Sequence, residues 1–191
     1  QLNANLEPLG PQPWTRLDAN LQNFDLRQFA DSAPRTQLTV KARISNPVAA
    51  SPDQDTDNPA RRDRINGSLE ISNQAAGSLA VEKLPIRHLA LAFIAAFRDD
   101  PAQSTITLND IDVKLLAQPA VANAGISGNV TIDLSDVLQI VGQSVPAVDS
   151  QLVFTNIDLA QWLDTVPATA LVGQLESSRR KLTLDLSQSK T

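Results

Sequence analysis

With 191 residues, 42% of them hydrophobic, the chain can bury real apolar surface and is not disordered as a whole. A net charge of −5 and a pI near 4.8 exclude the dense Lys/Arg footing that nucleic acid requires and argue against electrostatic docking on anionic headgroups. The absence of Cys removes disulfides, thiolate metal sites and thiol nucleophiles, and aromatic residues at 4% leave the interior to Leu, Ile, Val and Ala.

Taken in chain order, the leading pattern is period two. Leu17, Ala19 and Leu21 alternate with Asp18, Asn20 and Gln22. A single turn headed by Asp25 follows, over Asp25 to Phe29. Leu38, Val40, Ala42 and Ile44 then alternate with Thr39, Lys41, Arg43 and Ser45. Residues 46–64 are rich in Pro, Asp and Asn without periodicity and predict a long exposed or disordered loop. Alternation resumes with Ile65, Gly67, Leu69 and Ile71. Strands are predicted at Ser78 to Val81, Arg87 to Phe97, Ser104 to Leu108 and Ile111 to Leu115. Ile126, Gly128, Val130, Ile132 and Leu134 alternate again, and Val137 to Val141 fits a strand or a helical turn equally. Leu152 to Phe154 reads as a strand, Asp158 to Leu163 as a second turn, and Leu171 to Leu175 as a strand. Leu182, Leu184 and Leu186 close the series. Each set gives a strand with one dry and one wet face.

Catalytic constellations are thin. His88 is the one histidine, so neither a zinc site of the usual kind nor a Cys–His pair can be built, and no G-x-S-x-G elbow accompanies it. A structural or surface role is expected for it. Asp110 with Asp112, and Asp133 with Asp136, read as solvated carboxylates at strand ends or wet faces. Asp53, Asp55 and Asp57 begin like a calcium loop, but the required Gly and terminal Glu are missing. Arg61, Arg62 and Arg64 are offset by neighbouring Asp residues. Gly67, Gly77, Gly125 and Gly128 are too scattered to cradle phosphate. Trp14 and Trp162 are expected to close sheet edges. No catalytic residue, metal or cofactor is expected, and the chain is expected not to be an enzyme.

An internal repeat is the second strong pattern. Leu21-Gln22-Asn23-Phe24-Asp25-Leu26-Arg27-Gln28-Phe29 matches Phe154-Thr155-Asn156-Ile157-Asp158-Leu159-Ala160-Gln161-Trp162, 133 residues on (Asp158 against Asp25). The match runs without a gap into Pro34, Thr36 and Leu38 against Pro167, Thr169 and Leu171. A weaker copy, Leu108-Asn109-Asp110-Ile111-Asp112-Val113, lies 87 residues after the first (Asp112 against Asp25). The expected unit is a strand ending in a polar corner that hands over to the next strand.

A corner of the form Asn-apolar-Asp-Leu closing an alternating strand, then Pro-x-Thr-x-Leu opening the next, resembles the TamB family of the AsmA-like proteins. The resemblance implies a periplasmic protein of diderm bacteria, anchored in the inner membrane by a segment not among these residues. It implies a long sheet curled into a hydrophobic trough, a β-taco. Its implied work is outer-membrane biogenesis: phospholipid transport along the trough, and outer-membrane protein (autotransporter) assembly and secretion. The implied partners are phospholipid, unfolded outer-membrane β-strands, and a TamA-like outer-membrane barrel reached through another part of the chain.

The fold expectation is therefore all-β: one β-rich region over 1–191, a long curled antiparallel or solenoid-like sheet from a longer repetitive protein. With no Met present, Gln1 is expected to open a fragment or a processed chain. No run approaches the ~20 apolar residues of a membrane span. On the residues alone a closed β-sandwich and an open groove stand level, and the resemblance favours the groove. Small residues expected to face inward are Ala19, Ala42, Gly67, Ala90, Ala92 and Gly128. The groove lining is expected to be Leu17, Leu21, Leu38, Val40, Ile44, Leu69, Ile71, Leu91, Phe93, Ile106, Leu108, Val130, Ile132, Leu134, Leu152, Phe154, Leu182, Leu184 and Leu186. The alternative function is a structural or adhesive sandwich of a secreted surface protein.

Overall fold

The computed structural model describes residues 2–6, 14–46, 64–97, 104–116, 123–133, 148–178 and 181–188. The alternating segments become strands: β1 (Leu2–Leu6), β2 (Trp14–Phe24), β3 (Leu38–Ser45), β4 (Arg64–Asn73) and β5 (Ile86–Ala96). They continue as β6 (Thr105–Leu115), β7 (Gly125–Asp133), β8 (Val148–Ile157), β9 (Leu171–Ser178) and β10 (Lys181–Gln188). All ten form one sheet in the order β1 to β10, each strand antiparallel to the next. Among the described residues there is no α-helix.

Extensive contact between the strands runs only between sequence neighbours. No second layer covers either face among the described residues, so the closed sandwich does not form and the sheet is open. Four expectations change in detail. Ser78 to Val81 is not a strand: Val81 N–H bonds to Ser78 O and Glu82 N–H to Leu79 O, closing a 3-10 turn over Leu79–Val81 that ends with Glu82 at φ 57°. Ser104 to Leu108 and Ile111 to Leu115 are halves of one strand, β6. The short strand β1 was not foreseen, since Leu2, Ala4 and Leu6 give too brief an alternation. Asn46 directly follows β3 and Arg64 opens β4, while 47–63 and Val137 to Val141 lie outside the described residues.

The two strong repeats build the same corner. Asp25 Oδ1 accepts from Arg27 N at 3.2 Å and from Thr36 N at 3.0 Å. Asp158 Oδ1 accepts from Ala160 N at 3.2 Å and from Thr169 N at 2.9 Å. Thr36 Oγ1 accepts from Leu26 N and donates to Phe24 O; Thr169 Oγ1 does the same with Leu159 N and Ile157 O. Each Asp caps a 3-10 turn while its partner Thr, eleven residues later in sequence, ties the next strand to it. The weaker copy turns no corner. Asp112 stays inside β6, and the residue eleven further on is Asn123, not Thr.

All three copies do share a bulge. Register shifts lie between Leu21 and Phe24, between Leu108 and Ile111, and between Phe154 and Ile157. The residue before the second apolar position has positive φ in each: Asn23 at 55°, Asp110 at 51°, Asn156 at 50°. Asn and Asp tolerate this left-handed region best among non-glycine residues. The extra residue also bends the strand. In β6 the freed Asp110 N–H is taken by Asn129 Oδ1 at 3.1 Å. Beside it Gly128 sits at φ 145°, where a Cβ would run into the Gln151 carbonyl. Bulges and a glycine at such points are the devices that curve a sheet.

Most of the best-buried residues gather along one rim, where β2, β4, β6 and β8 end and their successors begin. Leu38, Leu115, Ala124, Ala170, Thr36, Asn73, Asp158 and Pro85 are all buried there. Asn46, Ala95 and Ser104 are buried along the opposite rim. Asn73 Oδ1 accepts from Gln37 N and Ala75 N while its Nδ2 donates to Ile86 O, stitching β3 to β5. Arg35 N bonds to Glu82 O and Leu116 N to Pro85 O, so successive rim loops are linked to one another.

Two outcomes test the corners. Asp158→Ala, which strands two N–H groups at a residue only 3% exposed, should lower the free energy of unfolding by about 2 kcal/mol in urea titrations. Asp112→Ala, on the wet side of β6, should change it by less than about 0.5 kcal/mol. The N–H groups of Thr36 and Arg27 hold the Asp25 carboxyl below its ordinary value. A carboxyl depressed in the folded state stabilises fully above the ordinary range, near ~3.9, and loses that contribution as pH falls through the folded value. Asp25→Asn should therefore flatten the acid limb of stability below about pH 4, read by denaturant midpoints across pH.

Candidate functional site

Residues paired across antiparallel strands share a face, so the registers define the two surfaces directly. One apolar row runs Leu21, Val40, Ile71, Leu89, Val113, Ile126, Phe154, Gly173, Leu186, crossing from β2 to β10. A second runs Leu17, Ile44, Gly67, Phe93, Leu108, Val130 and then meets Ser150 and Ser177 before Leu182. Between them lie Ala19, Ala42, Leu69 and Leu91 on one side of the β6 bulge, and Ile111, Gly128, Leu152, Leu175 and Leu184 on the other. A fourth row joins Ile65, Ala95, Ile106, Ile132 and Val148. No charged residue occurs in these rows.

The bulges keep this surface coherent. In β6 the apolar residues are Ile106, Leu108, Ile111, Val113 and Leu115, with a spacing of three in the middle. A regular strand would throw the second half onto the wet face. The extra residue at Asp110 restores the phase. Leu21 to Phe24 and Phe154 to Ile157 are corrected in the same way.

Every expected lining residue except Leu134, which lies outside the described residues, falls on this one face. Most are half-buried. Leu38 at the rim is 7% exposed, whereas Leu21 is 50% and Leu182 is 68% exposed. Two expected inward residues are not there: Ala90 pairs with Glu70 and Asp112, and Ala92 with Ser68 and Asn109. Both face the wet side, because β5 carries apolar residues on both faces and gave no phase to read.

The opposite face is polar. Asp18 takes Arg16 at 2.6 Å and Arg43 at 3.0 Å, Lys41 meets Glu70 at 3.4 Å, and Lys114 meets Asp112 at 3.6 Å. Hydrogen bonds from Arg16 and Arg43 hold the Asp18 carboxyl below its usual range. His88 lies on this face, its Nδ1 3.3 Å from Ser72 Oγ. Asp110 sits in the β6 bulge and Asp112 just beyond it, so neither stands at a strand end. Asp53, Asp55, Asp57 and Asp136 lie outside the described residues. Trp162 follows the 3-10 turn Leu159–Gln161 as its C-terminal cap. Among the described residues no three His, Asp or Glu side chains gather as metal ligands, and no helix is long and apolar enough to cross a membrane.

The arrangement can hold apolar matter against one continuous surface, on which the rows carry no charged residue and two serines, Ser150 and Ser177. The spacing of three between apolar residues at each Asn or Asp was the sequence signal that could have located the bulges. No family model, curated protein or solved structure matches this chain.

An open apolar face should bind the dye 1-anilinonaphthalene-8-sulfonate in the native state. Fluorescence should rise without denaturant, and Leu184→Lys, at a side chain already 54% exposed, should reduce it while changing stability by no more than about 0.5 kcal/mol.

Proposed function

We propose that the dry face is a conduit for phospholipid acyl chains between the inner and outer membranes of a diderm envelope, with no enzymatic step. The observation that carries this reading is the unbroken apolar row from Leu21 on β2 to Leu186 on β10, on a sheet over which no described residue forms a second layer. Ten strands at the usual spacing span about 43 Å between the outermost strand axes. An acyl chain laid against such a surface gains about 0.8 kcal/mol per buried methylene and needs no polar contact. Continuity thus does the work that a binding motif does elsewhere.

The setting comes from the TamB-like corners at Asn23 to Phe29 and Asn156 to Trp162. On that reading the protein works in the periplasm, held to the inner membrane by a segment not among these residues. Unfolded outer-membrane strands and a TamA-like barrel are its further partners. Outer-membrane protein assembly is then a second use of the same sheet, by strand addition at an open edge.

The test is a photo-crosslinking residue at Val40 on β3 or Ile132 on β7. Both should capture phospholipid, and Val40→Asp or Ile132→Asp in the full chain should abolish lipid transfer while leaving the sheet folded by circular dichroism. Folded protein that captures no lipid from either position would falsify the conduit.

A further inference from the structure

Phe93 stands near the middle of the dry face, on β5, directly across from Gly67 on β4. Its ring occupies the space that a side chain at residue 67 would need: a Cβ built on Gly67 would overlap ring atoms of Phe93, and would also come within 2.8 Å of the Arg43 carbonyl oxygen. The ring therefore lies folded over the β4 backbone. The residues flanking this pair in the same row are Ile44 on β3 and Leu108 on β6.

We infer that Gly67 and Phe93 form a passage point, at which the absence of a side chain on β4 keeps the one aromatic ring of this row low enough for an acyl chain to cross. The inference rests on the conduit reading and adds a residue pair that decides whether a stretch of the face is usable. Any side chain at 67 displaces the ring from the backbone, and the free direction is outward, into the apolar face. A raised phenyl ring between Ile44 and Leu108 then divides the row. The occupant is an unbranched acyl chain, because from Ile44 to Val130 this row offers apolar contact alone and the described face has no charged residue in its rows for a headgroup.

The experiment uses the chain with a benzoylphenylalanine probe at Ile44, Leu108 or Leu152, incubated with vesicles of phosphatidylethanolamine and phosphatidylglycerol. Leu152, on β8, lies beyond the passage point and serves as the reference. In the unaltered background all three probes should capture lipid. Gly67→Val should cut capture at Ile44 and Leu108 at least fivefold and leave Leu152 unchanged. Adding Phe93→Ala to Gly67→Val should restore capture at both, which a merely distorted β4 would not allow. Gly67→Ala, the smallest change, should give an intermediate loss with the folded spectrum retained. Normal capture at all three positions in Gly67→Val overturns the passage point and leaves the conduit standing. Loss that Phe93→Ala does not restore overturns it as well. Absence of capture at Leu152 in the unaltered background overturns the conduit and this inference together.

Discussion

Everything in this sheet depends on phase. A strand presents alternate residues to opposite faces, so an odd spacing anywhere sends all later side chains to the wrong side. In β2, β6 and β8 such a spacing is corrected by one residue held in the left-handed region, Asn23, Asp110 and Asn156, and β5 has a further register shift between Ile86 and His88. Without the correction at Asp110 the apolar rows would break within β6, and without those at Asn23 and Asn156 the strand-end residues Phe24 and Ile157 would turn to the wet face. The same residues bend their strands, so one local device both maintains the dry face and curves it.

The forces are divided between two places. The face itself is largely half-buried, and among the described residues its burial comes through neighbours within the layer. The rim is where side chains are sequestered, with Asp158, Asn73 and Thr36 each satisfied by backbone partners. Buried polar groups are stable only when so satisfied. This division leaves the apolar face uncovered among the described residues, with the sheet fastened chiefly along one edge. The wet face adds exposed ion pairs such as Lys41 with Glu70, which suit solubility more than stability.

Much of this was readable in the residues. The strands β3, β4, β7 and β10 followed from clean alternation, and the Asp-headed turns after β2 and β8 from the repeat. The repeat was misjudged in one respect. Its three copies suggest three corners, yet the shared Asn or Asp specifies a bulge, and a corner needs the Thr eleven residues beyond the second Asp. Asp112 lacks that Thr and the chain runs straight on. The run Leu89-Ala90-Leu91-Ala92-Phe93-Ile94 hid the facing of Ala90 and Ala92, because apolar residues on both sides leave no alternation to follow. Open against closed was likewise beyond the sequence: period two records which side is dry, and says nothing of what lies against it.

The nearest-neighbour order β1 to β10 also shapes how the protein comes into being. Each strand docks on the one made just before it, so few contacts wait for distant sequence and loop-closure costs stay small for a fold built wholly of strands. Such a sheet can grow from its first strands as the chain emerges, every addition templated by the exposed edge of the last. The growing edge is at the same time the hazard, an unpaired strand open to any extended segment. The pace of synthesis, more than the final stability, then governs whether the right strand arrives first.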